Sequence, residues 1–408
     1  MARVVVVGGG AAGLVAAWRA ATLGHRVDLL EANGRLGVKL RISGGGKCNV
    51  THEAPPKALL AAFAKPQARF LRAAIHAFGP SEVRDLLRRE GVDTYVRENG
   101  RVFPLDRPRS AGAVVAAFEG LVRRAGVQVC LGARVLGLEA GLDAPPRIRL
   151  EEGWQSPDVL ILATGGASYP ETGTRGEVLA WLAGQGIPTR SWFPALAPIP
   201  LADPRPAWEG VALRGGQLRL WAGPGGRKLA AHADDLLFTR SGVSGPAALE
   251  LSQAVEAARR EGAAWLTYAA VDAPPEALDA GLQAEAQRNP RLQVGTWLGR
   301  HLPERLVGSL LGGDLSAGTM LKDLSRAGRR HLAALASDLP LGAPRAVPLA
   351  RGEVAAGGVA LDAVDPRTMV VTGHPGLRIC GELLDLDGPV GGYNLQAAFS
   401  TGYLAGTV

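Results

Sequence analysis

Cysteine is scarce in this chain. Three residues, Cys48, Cys130 and Cys380, are spread over 408 positions, without a C-x-x-C pair or a His/Cys cluster. A disulfide framework is excluded and no metal site is indicated, so no metal is expected and a reduced, cytoplasmic setting is the default. Long apolar runs are missing too, since none reaches the eighteen or so residues that suggest a membrane helix. The N-terminus MARVVVVGGG opens directly on a strand pattern and leaves no room for a signal peptide. With 47% hydrophobic and 20% charged residues the composition excludes a disordered chain. The balance is basic, 45 Lys and Arg against 38 Asp and Glu, a net +7. No run of five basic residues occurs, and no basic stretch alternates with aromatics, so nucleic acid is not the expected partner. The seven histidines form no metal pair and no Ser-His-Asp order.

What is present is an alternation of strands and helices. RVVVV at 3–7 is an apolar, β-branched run bounded by glycine, the pattern of a buried parallel strand. AAGLVAAWRAATLG follows as a helix and HRVDLLE as a second buried strand, which together make a βαβ unit. A further α/β stretch runs from about 58 to 140, and VLILATGG supplies another strand. Near 190 the composition turns to proline and aromatics. VALRGGQLRLWAGPGGRKLAAHA then reads as antiparallel hairpins turned by Gly-Gly and Pro-Gly-Gly, with helices over 246–262 and roughly 290–338. A second proline-rich crossing at 339–348 returns to the first style. The expected organisation is an α/β nucleotide-binding domain in two parts, 1–190 and 346–408, around an inserted module at 191–345.

Gly8-x-Gly10-x-x-Gly13 lies directly after the first strand and opens the helix at Ala11 and Ala12. In that context it is a dinucleotide fingerprint. Gly8 permits the turn, Gly10 admits the pyrophosphate, and Gly13 lets helix and strand approach. The helix N-terminus offers N–H groups to the anion. Glu31 ends the second strand, where an acid binds ribose hydroxyls. This motif does not separate NAD from FAD, but no second G-x-G-x-x-G follows a later strand. LILATGG, with Ala163, Thr164, Gly165 and Gly166, and GLRICGELLDLDG, with Gly381 and Glu382, look like the middle and late fingerprints of two-dinucleotide-domain flavoproteins.

RISGGGKCNV at 41–50 is a second glycine loop. It fails the Walker spacing, because Cys48 follows Lys47 and Arg41 stands where the first glycine should be. Its apolar flanks argue against a slack linker. Two readings remain: a structural turn, or a second wall in which Ser43, Gly44, Gly45 and Gly46 bring backbone close to a ligand beside Lys47 and Asn49. Cys48 has no resolving partner nearby, so a dithiol relay is not expected.

These motifs resemble the bacterial BaiN-type, aminoacetone oxidase-like, FAD-dependent oxidoreductases nearly end to end. VGGGAAGL, E-x-x-G-R-x-G at 31–37, ISGGGKCNVT, RVFP, ATGGASYPETGTRG, LLFTRSGVSGPA, EVAAGGV and GELLDLDGPVGGYNLQAAFSTG carry the likeness. Lys47 stands where that family frequently has arginine, and Glu382 where aspartate is commoner. The resemblance implies a Rossmann-like, glutathione reductase-like FAD domain with an inserted β-barrel-like module and a helical lid. It implies FAD held by the glycines above and the second glycine loop, by Glu31, Ala32 and Arg35, by Val135 against the adenine, and by Gly392, Tyr393, Asn394 and Leu395 near the flavin, with a solvated Arg35 and an ordinary strand valine at Val135 the other readings. Tyr393 and Asn394 are the candidates for catalysis, with a packed aromatic the other reading of Tyr393. The expected activity is oxidation–reduction of a small organic molecule, with NADH or NADPH as transient donor. A flavoprotein acting on tRNA or another nucleic acid, and a flavin-binding protein without turnover, stay open as alternatives. Substrate and oligomeric state are not legible.

Overall fold

A computed structural model of the chain describes residues 1–105, 110–142, 144–312 and 315–408. Parts of two expected stretches, at 106–109 and 313–314, lie outside the described residues. The chain divides into two compact units, Met1–Phe193 with Leu349–Val408, and Pro194–Pro348.

The first unit is built on a six-stranded sheet in the order Val370–Val371, His374–Ile379, Val159–Leu162, Arg3–Val7, Arg26–Glu31, Gln128–Leu131. All neighbours run parallel except the edge strand Val370–Val371. Four successive valines suit Arg3–Val7 to its central place, because a parallel strand covered on both faces needs apolar side chains at every position. Strand order reverses there, with Arg26–Glu31 on one side and Val159–Leu162 on the other. This puts a crevice at the carboxyl ends of the strands. Helix Ala11–Thr22 leaves that crevice and packs along the C-terminal helix Tyr393–Gly406. The contact is close because Gly402 and Gly406 lie where a Cβ would overlap the carbonyl oxygens of Ala12 and Ala16. A small sheet, Thr51–His52, Arg101–Pro104 and Thr94–Val96, and the helix Lys65–Ala77 complete the surroundings.

The second unit holds two four-stranded antiparallel sheets. One orders Ile199–Pro200, Gly242–Ser244, Leu236–Thr239 and Ala212–Leu213. The other orders Lys228–Ala233, Gln217–Trp221, Trp265–Ala269 and Leu339–Gly342. A bridge between Leu201 and Pro344 joins them into one ladder, with Ala202 N donating to Ala343 O and Arg345 N to Pro200 O, both at 2.8 Å. Among the described residues that ladder has two free ends, at Ala212–Leu213 and Lys228–Ala233. Helix Pro246–Arg260 packs on strands of both sheets, and among the described residues four more helices follow between Pro275 and Ser337. One hairpin differs from expectation. Gly215-Gly216 does not fold its flanking strands onto each other, since Ala212–Leu213 pairs with Leu236–Leu237. Gly216 instead makes room for the Tyr268 ring, which a Cβ would overlap. The Pro-Gly-Gly turn does close a hairpin, between Gln217–Trp221 and Lys228–Ala233. Among the described residues no helix is long and apolar enough to cross a membrane.

Candidate functional site

The glycines of the first loop do different work. Gly8 has φ +104, and a Cβ there would overlap the carbonyl oxygen of Ala163. At Gly13 a Cβ would overlap the carbonyl oxygen of Gly8 and stand 3.3 Å from the Ala163 Cβ. Both are demanded by the protein's own packing. Gly10 is not. Its φ is −84, open to any residue, and nothing lies within 4 Å of where its Cβ would be. The space in front of it adjoins the start of helix Ala11–Thr22, whose first turn carries no acidic side chain and no side-chain cap. Uncapped N–H groups at Ala11, Ala12 and Gly13 suit an anion.

Glu31 is buried beside this loop. Its Oε2 accepts from Gly9 N at 2.7 Å, and its Oε1 from Asn33 N at 2.8 Å and Asn33 Nδ2 at 2.7 Å. One acceptor position on Oε2 is left over, enough for a hydroxyl. Gly132 N donates to Asn33 O and Ala133 N to Glu31 O, which lays the following chain along the end of this strand. Val135 therefore lies in a half-buried connection between strands. Ala32 is half-buried and Arg35 exposed.

In the second loop Gly44, Gly45 and Gly46 have φ of +56, +65 and +82, three consecutive left-handed residues that only glycine adopts without strain. Lys47 is exposed, and its carbonyl accepts the Ser110 hydroxyl at 2.8 Å. Asn49 Oδ1 is buried with no hydrogen-bond partner among the described residues. Cys48 is fully buried, and burial pushes its thiol up to about 12, with the Ser43 hydrogen bond opposing only part of that rise. A thiol held neutral in this way is a packing residue rather than a redox one.

Lys39 lies outside the motifs and joins the site through its partners. Its Nζ donates to both oxygens of Glu382, at 2.9 and 2.7 Å, and to the Ser168 hydroxyl at 2.7 Å. Glu382 also accepts from Ala355 N at 2.9 Å. Gly166 is glycine because a Cβ there would stand 2.9 Å from Glu382 Oε1, and Gly165 turns the chain above it at φ +77. Gly381, at φ +72, brings this acid against helix Ala11–Thr22, where a Cβ would stand 2.8 Å from that of Ala12. The crevice thus collects Gly8–Gly13, Glu31, Ala163 to Gly166, Gly381 and Glu382 around the ends of four parallel strands.

Gly392, Tyr393, Asn394 and Leu395 form a second group. Gly392, at φ +94, caps helix Tyr393–Gly406 against the Thr51 backbone. Asn394 is engaged at both ends of its amide: Oδ1 accepts from Gly388 N at 2.7 Å, and Nδ2 donates to Gly388 O at 2.8 Å and Pro389 O at 3.4 Å. It fixes its own loop, which suits positioning better than chemistry. Tyr393 stacks on His52 with ring centroids 4.6 Å apart and meets Phe63 edge-on at 6.0 Å. His52 Nδ1 lies 3.2 Å from Gly391 O. Behind them a buried polar chain runs from the Thr51 hydroxyl to Gln396 Oε1 (2.6 Å), and from Gln396 Nε2 to Phe78 O and the Ser400 hydroxyl. Neither His52 nor Gln396 was singled out by motif. Thr51 closes the motif ISGGGKCNVT, and Gln396 and Ser400 lie inside GELLDLDGPVGGYNLQAAFSTG, but neither motif names the contact between them.

The match to known proteins spans the whole chain. Residues 2–408 fit the HI0933-like protein Rossmann domain. Over 415 aligned positions the chain is 29% identical to the 3-dehydro-bile acid delta(4,6)-reductase of Clostridium scindens, covering 100% of this chain and 98% of that relative. It is 28% identical to the ribosomal RNA dihydrouridine synthase of Escherichia coli, covering 98% and 96%. Among solved structures, the 3-ketosteroid delta1-dehydrogenase of Sterolibacterium denitrificans superposes with a TM-score of 0.53 at 14% identity, covering 100% and 99% of the two chains. At that identity the likeness is one of fold. A sheet with its switch point at Arg3–Val7 and a family match from end to end agree: the chain belongs to the HI0933-like family and is built on its Rossmann-type domain.

Proposed function

We propose that the chain, an FAD-dependent oxidoreductase, reduces a carbon–carbon double bond conjugated to a carbonyl group. The names of two relatives carry the bond type. A 3-dehydro-bile acid delta(4,6)-reductase and a ribosomal RNA dihydrouridine synthase both saturate such a bond, one in a steroid acid and one in a uracil ring. Everything else in those two names differs, so the shared bond is the firmer guide.

The observation that carries the cofactor is the pair Gly10 and Asn49. Gly10 keeps a space that neither its backbone nor its neighbours require, and Asn49 Oδ1 is buried without a donor among the described residues. Backbone at Gly10 would hold a pyrophosphate, and Asn49 Oδ1 would accept from a hydroxyl or ring N–H of the cofactor. The spare acceptor of Glu31 suits a ribose hydroxyl, and exposed Lys47 adds a point charge. FAD, when bound, supplies hydride transfer, with NADH or NADPH as the donor. The chain's own part is orientation and charge. Asn394 and the Gly388–Gly392 loop fix the start of helix Tyr393–Gly406, whose positive end favours an anion beside it. Tyr393, backed by His52, holds a proton at Oη for the carbon next to the carbonyl.

Anaerobic mixing with NADPH or NADH tests this directly. Bleaching of the visible flavin band is expected. Addition of a steroid 4,6-dien-3-one, or of uridine-containing RNA, should then restore the band and yield a product heavier by one hydrogen molecule. Reduced protein that neither compound reoxidises faster than buffer would remove the reading. A flavin that no nicotinamide bleaches would point instead to binding without turnover.

A further inference from the structure

We infer that the exposed face of helix Lys65–Ala77 is a docking track for the phosphate backbone of RNA. It rests on the reductase reading only for what happens to the bound base; the surface stands on its own observations. Between Glu53 and Glu82 the chain has no acidic residue, while it carries Lys57, Lys65, Arg69, Arg72 and His76. On the helix the last four recur at spacings of four, three and four, the period that puts side chains on one line. All four are exposed, whereas Phe70, Leu71, Ala74 and Ile75 on the opposite side are buried. The line is about 16 Å long, close to five steps of a stacked strand.

Three basic side chains further along the chain are already paired: Arg84 with Glu53, Arg88 with Asp85 and Arg124 with Glu90. Among the described residues, Lys57, Lys65, Arg69 and Arg72 have no such partner. Of the acids that approach this helix, Asp387 is engaged by Gln67 Nε2 at 2.9 Å and Asp385 by Arg190 at 3.2 Å, while Asp362, in the turn Leu361–Ala363 packed against the helix, is exposed. The occupant is therefore a polyanion. An acidic lipid surface fits less well, because the other exposed positions on the helix are Pro66 and Ala77, which offer no bulky apolar side chain to a bilayer. The line also begins next to the second group of site residues. Phe63, two positions before Lys65, meets the Tyr393 ring edge-on and stands where a Cβ on Gly388 would come within 2.6 Å. RNA held along the helix would present a base beside Tyr393.

The test measures binding of the FAD-loaded protein to a single-stranded, uridine-containing oligoribonucleotide by fluorescence anisotropy. Salt is varied between about 50 and 200 mM. Three contacts of Lys65, Arg69 and Arg72 should give a slope of log K against log salt near −2, at roughly 0.7 per phosphate. The triple variant K65Q/R69Q/R72Q should lose about 2 of that slope while keeping its FAD and its turnover of a steroid dienone. A wild-type affinity that ignores salt, an unchanged slope in the triple variant, or equally tight binding to vesicles of acidic phospholipid would overturn the track. Loss of the track with dienone turnover intact leaves the reductase reading standing. Salt-sensitive RNA binding without reduction of any double bond does the reverse.

Discussion

At the scale of single residues, Gly10 and Gly13 of the first loop separate ligand binding from packing. Gly13→Ala places a Cβ on the carbonyl of Gly8, so it should destabilise the folded chain by about 3 kcal/mol or more, because neither strand nor helix can retreat. Gly10→Ala meets open space at an ordinary φ, so the FAD-free protein should unfold at an unchanged urea midpoint. Its affinity for FAD should nevertheless fall at least about tenfold, or 1.4 kcal/mol. Equal loss of stability in both variants would deny Gly10 a ligand. Asn49→Leu makes the complementary case. Removing a buried oxygen without a partner should raise the stability of the FAD-free chain by about 1 kcal/mol and lower FAD occupancy. A drop in stability without FAD would show that the oxygen is satisfied. Lys47→Ala, at an exposed side chain, should leave the urea midpoint within about 0.5 kcal/mol and weaken FAD retention. Unchanged occupancy would return its loop to being a turn.

At the scale of elements, helix Pro246–Arg260 is tied to the returning chain by one buried carboxylate. Glu256 accepts from Arg259 through both oxygens, from Arg260 at 2.9 Å and from Val347 N at 3.0 Å. The Arg259 hydrogen bonds outweigh burial and hold its carboxyl down at about 2, against the ordinary 4.5. A depressed carboxylate stabilises the fold above its unfolded pKa, and that contribution is lost as pH falls from about 4.5 to about 2. Its size is on the order of 3 kcal/mol. Glu256→Gln should melt well below wild type near neutral pH, with the gap closing across that acid window. A gap that persists below it would assign the effect to packing. Such ties mark the limit of sequence reading. The first glycine loop and the three glycines at 44–46 were legible because turn, φ and helix start are local. Lys39 with Glu382, 343 positions apart, was not, since nothing in either segment names the other. The Gly215-Gly216 turn misled for the same reason: its geometry is set by the distant Tyr268. The basic face of Lys65–Ala77 escaped a search for charge runs because its charges are spaced for a helix, four, three and four apart.

At the scale of the molecule, the chain builds two hydrophobic cores. One draws on residues from Val4 to Ile187 and from Val359 to Ala405, the other on residues from Ala197 to Val347. Every proposed FAD contact, from Gly8 to Leu395, belongs to the unit that contains the first core. A ligand stabilises only what its binding requires to be folded. FAD at one hundred times its dissociation constant should therefore add about 2.7 kcal/mol to the unfolding of the first core. The second core should gain nothing directly, and Glu256→Gln should lower its stability alone. Calorimetry of the wild-type and Glu256→Gln chains, each with and without FAD, separates these effects. The expected record has two transitions: FAD moves one and the substitution moves the other. A single endotherm shifted by both would show that the two cores melt as one body, and would remove the assignment of FAD binding to a separately stable first unit.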